Sequence, residues 1–303
     1  MKWNGSRGRA LVALAVASSF LVACNRGDKI GPKPISSAAP PETKKIRLEP
    51  RPARVGDKAR VGRTTEMKMS VEFWQEGEKF GSQESSRTED YVRDVEVLAL
   101  VGGVPSKERA RYERYRFKEA KPDEPLNEDN ALEGQTYVVD GSERETKATF
   151  ADGKPVAKEE LERLDRLHAD LAVEDKIIAE LKGLTIDVGS HAGLREALFR
   201  ALVTTAPGNF KSGTITLTAT RTEGGRETAL FDWSAEMSTE EDNGMETTWH
   251  IKGNLVLGLS PAQTLRAAMS ADIDVGGHTR RDGKRIDIEG SGSIKDERTF
   301  TPL

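Results

Sequence analysis

The chain has 303 residues, 36% of them hydrophobic and 32% charged, with a net charge of −4 and one cysteine. The acidic balance argues against nucleic acid as a partner, and a lone thiol excludes an internal disulfide framework. With few special features to compensate, the fold must draw its stability from an apolar core, for which about 250 residues suffice.

Lys2, Arg7 and Arg9 precede an apolar run from Ala10 to Phe20, and small residues lead up to Cys24. This is the layout of a cleavable export signal, and the run is too short to span a bilayer. Leu21-Val22-Ala23-Cys24 resembles the lipobox of bacterial lipoproteins. The resemblance implies cleavage before Cys24, acylation of its thiol and acylation of the new amino end, so that Cys24 is the lipidation site and the link to a membrane. A buried thiol or an uncleaved anchor are the alternatives, and neither explains a cysteine placed directly after an export signal. Stable anchoring needs more than one acyl chain, each buried methylene contributing about 0.8 kcal/mol. Removing residues 1–23 takes away three positive charges and no negative ones, moving the net charge from −4 to −7. Asn25 rather than Asp follows the cysteine, which by resemblance to enteric sorting implies the outer membrane.

Residues 25–54 carry Pro32, Pro34, Pro40, Pro41, Pro50 and Pro52 among Ser, Ala, Lys and Arg. Such a composition reads as a tether. Mostly extended, it reaches up to about 90 Å at roughly 3.1 Å per residue. The expected organisation is a signal at 1–23, a lipidated cysteine and Pro-rich tether at 24–54, and a single antiparallel β domain at 55–303 with helices near 155–182 and 190–203.

From Val61 the pattern has period two, with Thr65, Met67, Met69, Val71 and Phe73 on one face and Glu66, Lys68, Ser70 and Glu72 on the other, a half-buried strand. Gly77 marks a turn, and further strands are expected at Tyr91 to Leu100, Arg109 to Lys118, Gln135 to Asp140 and Thr146 to Ala151. Asp152-Gly153 leads into a helix, with Pro155 in its first turn and Ala157, Leu161, Leu164, His168 and Leu171 on one stripe. Glu159 with Arg163, and Glu162 with Arg166, have the spacing of exposed helical pairs. A second helix is expected from Glu174 to Lys182, stopped by Gly183, and a third capped by Ser190 and ended by Pro207-Gly208.

The last ninety or so residues read as five successive antiparallel strands. Ile215, Leu217 and Ala219 are followed across Gly224-Gly225 by Ala229, Phe231, Trp233, Ala235 and Met237. Asn243-Gly244 is a hairpin signal. Met245, Thr247, Trp249, Ile251, Gly253, Leu255 and Leu257 come next, then Leu265, Ala267, Met269, Ala271, Ile273 and Val275. Asp282-Gly283 turns into Ile286, Ile288, Gly290, Gly292 and Ile294.

Each strand has one apolar face that needs cover. At about 3.3 Å per residue and 4.8 Å between strands, this meander alone presents on the order of 1,000 Å², while the helix near 155–171 measures only about 25 by 10 Å. The sheet must therefore curl so that its halves share the helices. The fold class expected is mainly β (α+β), a curled antiparallel sheet forming an incomplete β-barrel with a helical plug or lid. Ala219, Ala229, Ala235, Gly253, Ala267, Ala271, Gly290 and Gly292 on the inner face leave room for a helix, a bend or a ligand. In element order, residues 55 to 298 resemble the half-barrel lipoprotein carriers typified by LolA, LolB and the mycobacterial LppX and LprG group. That resemblance implies a bound acyl chain and a ligand cavity walled by Met67, Met69, Trp233, Trp249 and Met269. The alternative is that these five side chains are plain core, since aromatic and sulfur side chains fill interiors by default.

Motifs of catalysis are missing from the sequence. His168 lies on an apolar stripe, where a hydrogen-bonded core histidine is expected; His191 sits at a helix start; His250 shares a polar strand face with Glu246, Thr248 and Lys252; His278 is beside a turn. None has zinc-site spacing. Asp152, Gly153 and Glu159 imitate a calcium loop, but its first two ligand positions are Ala148 and Phe150. No nucleophile elbow, phosphate loop or dinucleotide fingerprint occurs. Acids such as Glu240-Glu241-Asp242 belong to a solvated hairpin tip. The basic and aromatic stretch Arg109, Arg111, Tyr112, Arg114, Tyr115, Arg116, Phe117 and Lys118 could meet phosphate-bearing lipid or an acidic polymer; pairing across the sheet with Glu89, Asp90, Asp94 and Glu96 is the plainer expectation. The sequence reads as a non-enzymatic envelope lipoprotein without a cofactor that binds or carries a hydrophobic ligand such as a lipid. A structural lipoprotein with a fully packed centre and a protein or polymer partner is the alternative, and a hydrolase of envelope polymers is a more distant one.

Overall fold

Period-two sequence becomes strand almost throughout the computed structural model, which describes residues 48, 52–143, 146–182, 187–203, 208–223, 225–240, 244–260, 262–281 and 283–303. The export signal, Cys24 and most of the tether lie outside these residues. The first meander comprises β1 (Lys58–Gln75), β2 (Glu78–Val101) and β3 (Val104–Ala120), extended at its edge by β4 (Asn127–Asp129), β5 (Thr136–Asp140) and β6 (Lys147–Phe150). Three short helices follow, α1 (Lys158–Leu167), α2 (Lys176–Leu181) and α3 (Glu196–Leu202), with β7 (His191–Gly193) between the last two. The second meander is β8 (Asn209–Glu223), β9 (Arg226–Glu240), β10 (Glu246–Leu259), β11 (Ala262–Arg281) and β12 (Lys284–Pro302).

β12 returns to pair with β1, so both meanders belong to one antiparallel sheet ordered β6-β5-β3-β2-β1-β12-β11-β10-β9-β8-β7, with β4 on β3. The end strands β6 and β7 do not pair, and the sheet is not closed into a barrel. The five carboxyl-terminal strands lie where the alternation put them. Gly225, Gly244 and Gly283 in their turns have φ of 79°, 82° and 78°, a region that glycine enters without strain; the turn residues Gly224, Asn243 and Asp282 lie outside the described residues, as do Glu241, Asp242, Gly183 and Pro207.

β2 is longer than its apolar pattern. Its first half pairs with β1 through Met69↔Ser85 and Met67↔Arg87, so backbone pairing extends a strand whose inner positions Gln83, Ser85 and Arg87 are polar. A bulge opposite Val92/Arg93 inserts Glu113 into β3, and the slipped phase brings both Tyr112 and Tyr115 to the inner face. All four tyrosines of the chain, Tyr91, Tyr112, Tyr115 and Tyr137, are buried there with Leu164 and Leu167 of α1.

The helices are shorter than their stripes. In α1 the Glu160 carboxylate accepts from the Ala157 N–H at 3.4 Å. Neither expected helical pair involving Arg163 or Arg166 forms: Arg163 turns to Asp129, Arg166 reaches Glu89 at 2.8 Å, and Glu162 pairs with Lys158 at 3.4 Å. A carboxylate buried on the sheet attracts a guanidinium more strongly than a solvated neighbour on the helix. Asp175 caps α2, accepting from the N–H groups of Ile177 and Ile178 at 3.0 and 3.1 Å. Ser190 caps nothing; His191–Gly193 joins the sheet edge beside β8, and α3 begins after Arg195.

The small inner-face residues are not vacant room. Trp233 lies over Gly253 of the neighbouring strand, and Met69 lies over Gly292, so glycine accommodates a large cross-strand partner. A Cβ on Gly253 would sit 2.5 Å from Trp233 Cζ2 and 2.6 Å from the Ala268 carbonyl. Gly253→Ala is expected to cost about 1–3 kcal/mol by overpacking, read from urea unfolding. Gly276→Ala, whose Cβ meets nothing within 4 Å, should leave the midpoint almost unchanged; equal effects at both positions would contradict this packing.

Candidate functional site

The five residues proposed as cavity walls are brought together. Met67 and Met69 on β1, Met269 on β11, Trp249 on β10 and Trp233 on β9 belong to one cluster with Ile294, Ala271, Ile251 and Ala235. Register explains the gathering: Met69 faces Gly292, Gly292 faces Ile273 and Ile273 faces Trp249, while Gly253 links Met269 to Trp233. Ile177, Ile178 and Leu181 of α2 and Leu198, Phe199 and Leu202 of α3 pack against this wall, and Leu48 at the end of the tether also touches it. Trp233 is 5% exposed and Met69, Trp249 and Met269 are each 8% exposed, whereas Met67 is half-buried. The buried indole N–H of Trp233 has no hydrogen-bond partner.

Beside the apolar wall, across β12, β1, β2 and β3, the same inner face carries buried charge. Asp296 on β12 is 3% exposed and accepts from Arg63 Nε at 2.8 Å and from Arg298 Nε at 2.6 Å. Burial alone would raise its pKa, but the fields of Arg63 and Arg298 outweigh that and hold it below the usual carboxylate range. Glu89 on β2 pairs with Arg166 at 2.8 Å and with Arg87 at 3.6 Å. The Arg87 and Arg166 guanidinium groups stand 5.0 and 5.7 Å from the centre of the Phe117 ring, within cation–π range.

The third buried group centres on His168, the residue that ends α1. Arg93 Nη1 lies 2.8 Å from His168 Nε2, 3.1 Å from Tyr112 Oη and 3.1 Å from the Leu167 carbonyl. A guanidinium only donates, so Nε2 is the acceptor and the ring proton sits on Nδ1, 2.7 Å from Glu108 Oε1. Burial, then the Arg93 charge, push the His168 pKa down to about 4 in spite of Glu108. Glu108 is itself held low: burial acts upward, and His168 and Arg93 together prevail. Burial pushes Tyr112 up to about 12. The sequence placed His168 correctly as a bonded core histidine, yet gave no sign of its partners, because Arg93 and Glu108 lie far away in sequence on neighbouring strands.

The other histidines are dispersed. His191 is exposed with Nδ1 2.6 Å from Thr216 Oγ1, His250 stands 3.8 Å from Asp274 and 4.0 Å from Glu236, and His278 is exposed. The basic stretch of β3 mostly finds partners on the outer face: Arg109 with Glu96 at 2.6 Å, Arg114 with Asp90 at 2.7 Å, and Lys118 with Glu128. Asp94 instead binds Arg60 at 2.9 Å, and Glu89 points inward to α1, because residues one apart on a strand face opposite ways.

No protein-family model matches the chain, and no curated protein matches it. Among solved structures, one of lipid–protein interactions in lipovitellin is similar at 10% identity and a TM-score of 0.33, over 80% of this chain and 25% of that one. A complex of Pseudomonas aeruginosa MucA and MucB aligns at 9% identity and a TM-score of 0.09, over 75% of this chain and 87% of that one. The chain spans about a quarter of the lipovitellin chain.

Proposed function

We propose that this chain is a non-enzymatic envelope lipoprotein, held by an acylated Cys24 at the outer membrane, whose unclosed sheet holds a hydrophobic ligand such as a lipid against its apolar wall. The carrying observation is the disproportion between wall and cover. Strands β9 to β12 have 14 to 20 residues, about 45–65 Å each. The helices against them have 6 and 7 residues, about 9 and 10 Å long. A proline-rich tether fits a carrier that meets its ligand away from its own anchor. The resemblance to the half-barrel lipoprotein carriers points the same way.

A second reading is favoured by the burial of Met69, Trp233, Trp249 and Met269: a filled centre, with the function on the outer face. Native mass spectrometry of the full chain purified from envelopes separates the two. Ligand carriage predicts a lipid adduct beyond the mass of the anchored protein, and uptake of a fluorescent fatty acid; a clean mass with no uptake supports the filled centre instead. Anchoring predicts that labelled palmitate is incorporated by the chain and lost in Cys24→Ala. Persistent labelling of that variant would refute the assignment of Cys24.

A further inference from the structure

We infer that the ligand is an anionic phospholipid whose headgroup phosphate is read by the arginines of the inner-face charge belt while its acyl chains lie on the adjoining apolar wall. This rests on the proposed ligand-carrying function and adds the class of ligand. Two observations converge on it. The first is charge: Arg87 and Arg166 share the one buried carboxylate of Glu89, while Glu119 nearby is taken up by Lys121 at 3.0 Å. Among these groups one positive charge is left over, in partly desolvated surroundings where a charge acts more strongly than in water.

The second is an unmet donor. Arg87 Nε is buried without a hydrogen-bond partner, and its nearest carboxylate, Glu89, is 3.6 Å away and shared with Arg166. Burial, and after it the repulsion from Arg166, hold the Arg87 guanidinium below its ordinary range although Glu89 and Glu119 act upward. A buried donor left open costs free energy until something accepts from it, and phosphate oxygens match a guanidinium fork. The side chains remain reachable: Arg166 is 45%, Arg298 25%, Arg63 21% and Arg87 13% exposed.

Continuity fixes how such a molecule lies. Arg87 faces Met67 directly across β2 and β1, and Met67 packs against the wall that runs on through Met69 and Met269. Headgroup cations and acyl surface therefore meet within one register step. An amphiphile without a phosphate would forgo the match to the Arg87 and Arg166 forks, and a free phosphate would leave the wall unused.

The test uses the purified full chain in mixed micelles containing pyrene-labelled phosphatidylglycerol or phosphatidylcholine, read by energy transfer from the chain's tryptophans, Trp233 and Trp249 on the wall among them. The glycerol lipid should bind at least tenfold more tightly, and raising the salt should shrink that ratio. Arg166→Gln, on the exposed side of α1, should weaken binding of the glycerol lipid more than that of the choline lipid, lowering the ratio severalfold. Equal binding of both lipids overturns the headgroup inference and leaves the carrier reading standing; binding of neither overturns both. Competition by inorganic phosphate as effective as that by the glycerol lipid also overturns it, by making the belt a phosphate site. The salt arm uses the unaltered chain, so a variant that fails to fold does not blunt the test.

Discussion

Asp296→Ala is expected to destabilise the fold by about 3 kcal/mol, at the lower end of the cost of breaking a buried ion pair. The carboxylate is the shared acceptor of Arg63 and Arg298 and stands 3.4 Å from Thr65 Oγ1. Without it, two guanidinium groups remain side by side on the inner face, and their partial exposure, 21% and 25%, lets water offset part of the loss. Asp296→Asn keeps an acceptor without the charge and should fall between the two. Replacing all three ionic residues by apolar ones of similar size, as Asp296→Leu with Arg63→Met and Arg298→Met, should recover most of the stability, because the desolvation cost disappears along with the attraction. Urea unfolding of the set measures this. A triple variant as unstable as Asp296→Ala would show that the arginines stabilise by something other than pairing.

Acidification is expected to remove about 3 kcal/mol through His168 alone. Its pKa is 6.5 in the unfolded chain and about 4 in the fold, a gap worth roughly 1.4 kcal/mol per unit. Between those values the unfolded state binds a proton that the folded state refuses, so stability is full above pH 6.5 and declines as the pH falls towards 4. Glu108 and Asp296, both held low, add their losses in the same direction but at lower pH, where the unfolded chain's carboxylates take up protons that the fold still refuses. His168→Gln should therefore flatten the stability profile between pH 6.5 and about 4.5 and leave the steeper acid limb in place. A variant whose profile still tracks that of the unaltered chain would show that His168 titrates normally.

The two halves of the molecule differ in how much their sequence discloses. In β9 to β11 apolar residues recur at nearly every second position, a glycine-marked turn separates β9 from β10, and the inner face was readable to the residue: Trp233, Trp249 and Met269 are where alternation puts them. The first half carries its core on tyrosines and ion pairs. Arg63, Arg93, Glu89 and Glu108 are inner-face residues that pattern reading assigns to solvent, since charge ordinarily faces water. Only the third dimension supplies their partners, and the Glu113 bulge breaks the period at the point where Tyr112 and Tyr115 needed it. The same blindness hid the charge belt: the basic stretch of β3 was conspicuous in sequence and is mostly paired on the outer face, whereas Arg87, whose buried Nε lacks a hydrogen-bond partner beside the apolar wall, lies singly on β2.

Glycines show the converse error. Gly253 and Gly292 suggested space, yet each sits under a large side chain from the next strand. Sequence gives the size of a residue at a position but not what a neighbouring strand lays over it. Leu48 and side chains of α2 and α3 are among those that rest on the wall, and a ligand lying there would have to displace them.

Whether a lipid lies on the inner face is the point on which everything turns, and photo-crosslinking measures it directly. Cells fed a fatty acid bearing a diazirine are irradiated, the full chain is purified and the modified peptides are mapped. Adducts on inner-face residues around Met67, Met69, Trp233, Trp249 and Met269 are the predicted result. Adducts confined to outer-face positions such as Glu236 or Asp274, or to Cys24 with none on the sheet, would contradict it.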